Sequence, residues 1–311
     1  MDAAAMLARV RDEGLLAPDR PLVAMLSGGR DSVCLLDLSV RLLGAGSVTA
    51  VHVNYGLRDD SDADQAHCAE LCERLGVTLE TDSPRRPEGP GNLQSWARDT
   101  RYAAAARIAL GRDALIATGH TADDQVETIL YRLASSPSRR ALLGMKQRDG
   151  SLVRPLLDFT RKQTTAYCEE RGLAWRDDPT NAGESYARNR VRHRLAPALA
   201  EIHPAAARNV LRTAELLRDE AEVLDSLVDA ELDANGSERG TIELSRLAEL
   251  PAPLRRLVVQ RLADRAAGRP VPGAANHAEE VAALRRTGKA MLDLGGGVRA
   301  VVERGVLHTE R

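Results

Sequence analysis

Four short, nearly apolar runs, each followed by a helix-like segment, constrain this chain more than any other feature. They are Leu22–Leu26, Val48–Val53, Val77–Glu80 and Ala114–Thr118. The segments after them, Asp31–Leu43, Ser61–Leu75, Leu93–Leu110 and Thr121–Leu133, read as helices. Strands that are apolar on both sides belong to a parallel sheet covered on both faces, and connections this long predict right-handed crossovers. The expected class is α/β, a doubly wound, mainly parallel sheet with its ligand beyond the carboxyl ends of the strands. The polar motifs sit where that rule wants them. SGGRDS follows the first run, NYGLRDD the second and GHTADDQVET the fourth. A Pro/Gly-rich loop at 82–92 follows the third, and long loops of this kind are often functional.

After about residue 135 the pattern changes. SLVRPLL reads as a short strand and Thr160–Arg171 as a helix with Thr160 as N-cap. A polar loop then runs into the arginine-rich RNRVRHR. A helix from about Ala205 to Ala234 leads out of the first domain, its second half acidic, which reads as a solvated face or interdomain connector. The remainder reads as a smaller α+β domain. Its helices are Leu254–Ala267 and Ala278–Arg286, and its strands break at Gly295–Gly297, a turn, and at Gly305. The expected domains are therefore 1–205 and 206–311.

Composition narrows the function classes. Of 311 residues 43% are hydrophobic and only 3% aromatic, so the core must be Leu, Val and Ala. A net charge of −2 excludes a uniformly basic nucleic-acid binder, and any such contact must come from local patches. None of the four cysteines forms Cys-x-x-Cys; Cys68 and Cys72 share a helical stripe with Leu71 and Leu75 and read as buried. The first residues lack a signal-peptide pattern and no apolar run reaches about 18 residues. The expectation is a soluble, cytoplasmic protein with no membrane partner.

SGGRDS lies at a helix start, where free amides and the helix dipole bind phosphate without a lysine. Gly28 and Gly29 allow close backbone approach, and Ser27 and Ser32 add hydroxyls. Asp31 beside a phosphate needs a cation between them, for which Mg²⁺ is suited; a plain N-cap role is equally open. In GHTADDQVET, Asp124 and Glu127 share a helical face. They are either favourable first-turn acids or a pair for a metal or cationic substrate. Arg98 and Arg101 share a face, and Arg188, Arg190, Arg192 and Arg194 cluster with His193 as a candidate RNA patch. His52 closes the second strand, at the ligand edge.

SGGRDS resembles the SGGxDS signature of the PP-loop ATP pyrophosphatases. Taken in order, HVNYGLR, ARDTRY, TGHTADDQVET, RPLL, DDPTN and RNRVRH resemble the tRNA(Ile)-lysidine synthetase family over roughly residues 20–200. The resemblance implies an adenine nucleotide α-hydrolase-like fold and cleavage of ATP between its α- and β-phosphates, which explains the missing Walker lysine. It implies that the C2 oxygen of the wobble cytidine in tRNA(Ile) with a CAU anticodon is adenylated. Free L-lysine then displaces AMP at C2 to give lysidine. It implies ATP binding by Ser27, Gly28, Gly29, Arg30, Asp31, Ser32, His52, Gly119 and His120, with Asp31 on Mg²⁺. Asp124 and Glu127 would bind lysine; Asp31, Asp124, Glu127, Arg101 and Arg192 would be catalytic; Arg139, Arg140, Arg188, Arg190 and Arg194 would meet tRNA. Residues 134–145 depart from the family's glycine-rich arginine loop, and the chain is shorter than members with an extra C-terminal domain. The oligomeric state is left open, a homodimer included. The rival readings are a PP-loop tRNA thiolase, which would want a cysteine set near the site, and a sensor that holds ATP without cleaving it.

Overall fold

The computed structural model describes residues 1–57, 60–85, 93–136, 139–176, 187–233 and 240–311, without the side chains of Arg139 and Arg140. The Pro/Gly loop at 82–92, the DDPTN motif and part of 134–145 fall largely outside the described residues. The chain forms two compact units, Met1–Glu215 and Leu216–Arg311.

The first unit opens with helix α1 (Ala3–Asp12), which the sequence reading did not anticipate. Strand β1 (Leu22–Met25) leads into α2 (Arg30–Leu43), β2 (Val48–Val53) into α3 (Ser61–Leu75), β3 (Thr78–Asp82) into α4 (Leu93–Leu110) and β4 (Leu115–Ala117) into α5 (Ala122–Ser135). The short α6 (Arg139–Leu142), β5 (Arg148–Asp149) and β6 (Leu152–Val153) follow, then α7 (Arg161–Glu170). The sheet order is β3-β2-β1-β4-β6-β5, and all pairs are parallel except β5 with β6.

Alternation along the strands builds two cores. Leu22, Ala24, Val48 and Ala50 pack with α1, α2, α3 and α7. Val23, Met25, Val51 and Val53 pack with Ala104, Ala105 and Ile108 of α4. The chain runs outward from β1 through β2 to β3, then returns to place β4 on the other side of β1. That reversal leaves a crevice between the ends of β1 and β4, the favoured place for a ligand in such sheets. A third cluster seats Val126 and Leu130 of α5 against Val191, Leu199 and Leu211. These come from α8 (Ala187–Arg190) with its π-helical continuation to Leu195, α9 (Ala196–Ile202) and the start of α10 (Ala206–Asp233).

The boundary between units lies inside α10, ten residues beyond the border read from sequence. The second unit has β7 (Ile242–Glu243), α11 (Leu244–Glu249), α12 (Ala252–Ala267), α13 (Ala278–Ala282), β8 (Lys289–Gly295), β9 (Val298–Glu303) and β10 (Val306–Glu310). Its antiparallel sheet runs β7-β10-β9-β8. The triple glycine is a turn, with φ of +83°, +63° and +79°. The acidic second half of α10 is not simply solvated: Asp225 and Asp229 pair with Arg261, and Glu231 with Arg246. Among the described residues no helix is long and apolar enough to cross a membrane.

Candidate active site

At the end of β1 the chain turns through Ser27-Gly28-Gly29 into α2. Gly28 has φ +81°, and a Cβ there would meet Cys68 Sγ at 3.3 Å. Ser32 Oγ donates to Gly29 O at 2.7 Å and accepts from Ser27 N at 3.1 Å, so the hydroxyls shape the loop. The first amides of α2 lack intrahelical acceptors, and its 14 residues point a positive dipole end at the crevice. Gly119, just past β4, is required by contact: a Cβ there would lie 2.8 Å from Asp31 O and 3.1 Å from Ser32 N.

Gly29, not Asp31, is the N-cap of α2. The plain capping role for Asp31 is therefore corrected. Its Oδ1 instead accepts from Thr164 Oγ1 of α7 at 2.5 Å and from Arg30 Nε at 3.3 Å. The side chain keeps 21% exposure toward the cavity.

The acids of α5 are more engaged than their spacing suggested. Thr121 caps the helix, and Asp124 Oδ2 closes a capping box by accepting from Thr121 N at 2.8 Å. The other oxygen, Oδ1, accepts from Arg161 at 2.6 Å and Arg188 at 3.4 Å. Glu127, whose side chain is only 5% exposed, accepts from Arg161 at 2.7 Å and Arg188 at 3.3 Å, with Arg192 at 3.9 Å. Asp123 accepts from the backbone N of Arg161 at 2.8 Å and so caps α7 from across the site.

A cavity of about 350 Å³ joins these parts. It is lined by Ser27, Gly29, Arg30, Asp31 and Ser32 from the loop and by Gly119, His120 and Asp124 from the end of β4. Arg101 and Arg192 also reach it. Glu127 and Arg188 stand behind Asp124 rather than in the lining. Arg190 and Arg194 are exposed.

The placement of His52 differs from the sequence reading. Strand alternation puts it with Val48 and Ala50, on the face covered by α3. It is buried, with Nδ1 3.0 Å from Leu26 O and 3.4 Å from Cys68 Sγ. It supports the loop from beneath instead of meeting a nucleotide in the cavity.

Burial governs the titration of the site. It takes His120 down to about 3, with Arg188, Arg154 and Arg98 adding to the effect against Asp124. Burial alone would raise the Asp124 carboxyl, but Arg161 and Arg188 hold it below its ordinary value. Arg161 is held above the usual guanidinium range, the acids Asp124 and Glu127 outweighing its burial. The four cysteines are free and buried; burial pushes Cys68 up to about 12 and Cys72 to about 11. Such thiols stay protonated at neutral pH and are poor nucleophiles.

Three residues of the site escaped the sequence reading: Arg161, Thr164 and Arg176. Arg161 had a signal. A cation in the first turn of a helix opposes the dipole, so a partner elsewhere was implied. Arg176 donates its backbone N to Gly28 O at 3.0 Å and its Nε to Asp64 at 2.5 Å, closing the cavity beside the loop.

A lysine-free phosphate cradle at the switch point of a parallel sheet defines a nucleotide-binding protein of the PP-loop class, and a PP-loop domain model matches residues 4–199. The chain is 40% identical to a tRNA(Ile)-lysidine synthase of Thermus thermophilus over 82% of its own length and 51% of that protein's. It is 35% identical to one of Symbiobacterium thermophilum over 96% and 68% respectively. The chain belongs to the PP-loop family and, within it, to the tRNA(Ile)-lysidine synthases. It spans about half the length of several of the curated relatives it matches. Among solved structures, the U34-tRNA thiolase NcsA of Methanococcus maripaludis shares the fold at a TM-score of 0.58 and 18% identity, covering 69% of this chain and 78% of that one.

Proposed function

We propose that the chain ligates free lysine to C2 of the wobble cytidine in tRNA(Ile) bearing a CAU anticodon, through an adenylated base, releasing pyrophosphate and AMP. One observation carries this reading: a phosphate cradle and Asp124, backed by buried Glu127, meet at one cavity. The cradle takes the triphosphate. Base adenylation and amine attack then need a cation site alongside it, which a sensor that only holds ATP does not.

Asp31 is the carboxylate at the cradle itself, beside the hydroxyls of Ser27 and Ser32. That donor set suits Mg²⁺, which keeps several waters and binds through one or two carboxylates plus substrate phosphates. Among the described residues no group of three His, Cys, Asp or Glu is gathered to hold a metal. Asp31 would hold such an ion beside the phosphates, where it would supply charge neutralisation for the departing pyrophosphate.

Asp124 presents its carboxylate to the cavity. An incoming ammonium replaces the long contact from Arg188, at 3.4 Å, while the 2.6 Å bond from Arg161 stays. Held below its ordinary value, this carboxyl anchors and orients the amine and is a weak base. Glu127 acts behind it, fixing Arg161, Arg188 and Arg192. Arg101 and Arg192, both in the lining, steady the phosphate and the activated base. Arg190 and Arg194, both exposed, and Arg139 and Arg140 serve the RNA.

The test supplies purified protein with ATP, lysine and an unmodified CAU-anticodon tRNA. Pyrophosphate release should depend on lysine, and the wobble nucleoside should gain the mass of lysine less water. Release of ADP and orthophosphate, or of pyrophosphate with no need for lysine, would overturn the assignment.

A further inference from the structure

The arginines of the first unit fall into two sets. Arg161, Arg188 and Arg192 share Asp124 and Glu127. Arg98, Arg132 and Arg154 have no carboxylate within 4 Å among the described residues. Arg132 donates to Gly144 O at 2.9 Å, and Arg98 lies over the Tyr102 ring at 4.7 Å and donates to its hydroxyl at 3.3 Å. Arg154, from the RPLL motif after β6, is 6% exposed; it donates to Lys146 O at 2.6 Å, and its buried Nε has no partner. A guanidinium does not shed its charge, and an uncompensated buried cation is strongly unfavourable. Buried Arg154 therefore calls for an anion, which half-buried Arg132 and exposed Arg98 stand ready to share.

The support beneath these cations is rigid. Gly144, Met145 and Lys146 each offer a carbonyl to a side chain, from Arg132, Gln125 and Arg154 in turn. Gln125 also accepts from Met145 N at 2.6 Å. Two guanidiniums are thereby seated on carbonyls two residues apart. Burial first, and then the cations Arg98, Arg154 and Arg188, lower the Arg132 guanidinium. Arg98, exposed at the surface, is lowered by partial desolvation and then by Arg101, Arg188 and Arg154.

We propose that Arg98, Arg132 and Arg154 form a subsite for a phosphodiester of the RNA strand entering beside His120. The proposal rests on the RNA substrate proposed above. None of the three lines the cavity that holds the phosphate cradle, so the anion is not the triphosphate seated there. Guanidinium forks suit phosphate oxygens, and one phosphodiester supplies the anion that buried Arg154 lacks.

Filter binding of an unmodified CAU-anticodon tRNA across a salt series tests this. Arg98→Met and Arg132→Met should each weaken binding about tenfold and flatten the plot of log K against log salt by about one unit. Arg154→Met should do the same; if it fails to fold by circular dichroism, Arg154→Lys, which keeps the charge, should fold and retain the slope. The KM for ATP should stay within about twofold of the parent value. Unchanged slopes in variants that still release pyrophosphate in a lysine-dependent way would overturn this subsite alone. A raised KM for ATP with an unchanged slope would assign the cluster to pyrophosphate and overturn it too. Flattened slopes together with lysine-independent release would sink the proposed reaction while leaving the phosphodiester site standing.

Discussion

Arginine meets carboxylate in both compact units, at similar distances and to different ends. In the second unit Arg246 meets Glu231 at 2.6 Å, and Arg261 and Arg265 meet Asp229 at 2.6 and 2.9 Å. The Asp229 side chain remains 42% exposed, so water screens the pairs and they act as staples between helices. In the first unit Glu127 is 5% exposed and faces three guanidiniums, with Asp124 beside it. Low dielectric strengthens every charge interaction there, and an unmatched charge becomes costly. The same residue chemistry gives a fastening where it is wet and a tuned cation environment where it is dry.

The sharpest way to break that contrast is Glu127→Gln, which leaves three arginines facing a neutral amide. It should lower folding stability by about 3–5 kcal/mol, read from urea denaturation; a loss no larger than that of a surface pair would refute the distinction. Asp124→Asn should come next. The KM for lysine should rise roughly 10- to 100-fold, the scale of a charged hydrogen bond worth about 1.5–3 kcal/mol, while ATP binding, followed by calorimetry, changes little. Unaltered lysine dependence would remove Asp124 from the amine site. Gly119→Ala touches no charge and moves only backbone. With a Cβ 2.8 Å from Asp31 O, it should cost about 1–3 kcal/mol and weaken ATP more than lysine, as steady-state KM values will show.

Acidity separates the groups further. Asp124 ordinarily titrates at 3.8 and lies lower in the folded chain. Its contribution is complete above about pH 5 and is lost as pH falls through 3.8 toward the native value, so the acid-side loss in urea midpoint should shrink in Asp124→Asn. His120, ordinarily 6.5 and native at about 3, stabilises the fold fully above 6.5 and loses that contribution on the way down to 3. Its imidazole resonances should therefore stay flat from pH 8 to 5; a midpoint near 6.5 would show the site to be wetter than described. The smallest effect belongs to Asp229→Asn, below about 1 kcal/mol by thermal melting.

Much of the first unit was legible because β1, β2 and β4 are buried on both faces and its punctuation is local; β3, half-exposed, shows the pattern least. Gly76, Thr121 and Thr160 end or start helices where the sequence placed them. The cradle and the acid pair were legible for the same reason, being contiguous stretches at strand ends. What escaped was set by long-range contact. Arg161 reaches acids 34 and 37 positions away, and Thr164 reaches Asp31 across 133. His52 was misplaced because proximity to a strand end was weighed above the two-residue alternation that decides which face a side chain takes. The short β7 and α11 carry too few residues for any period to show.

Helix α7 grips the cavity twice. Thr164 holds Asp31 at the cradle, and one turn earlier Arg161 holds Asp124 and Glu127. A single rod, at about 5.4 Å per turn, thus ties the cradle loop to the acids of α5. A shift of this one helix would move both contacts together.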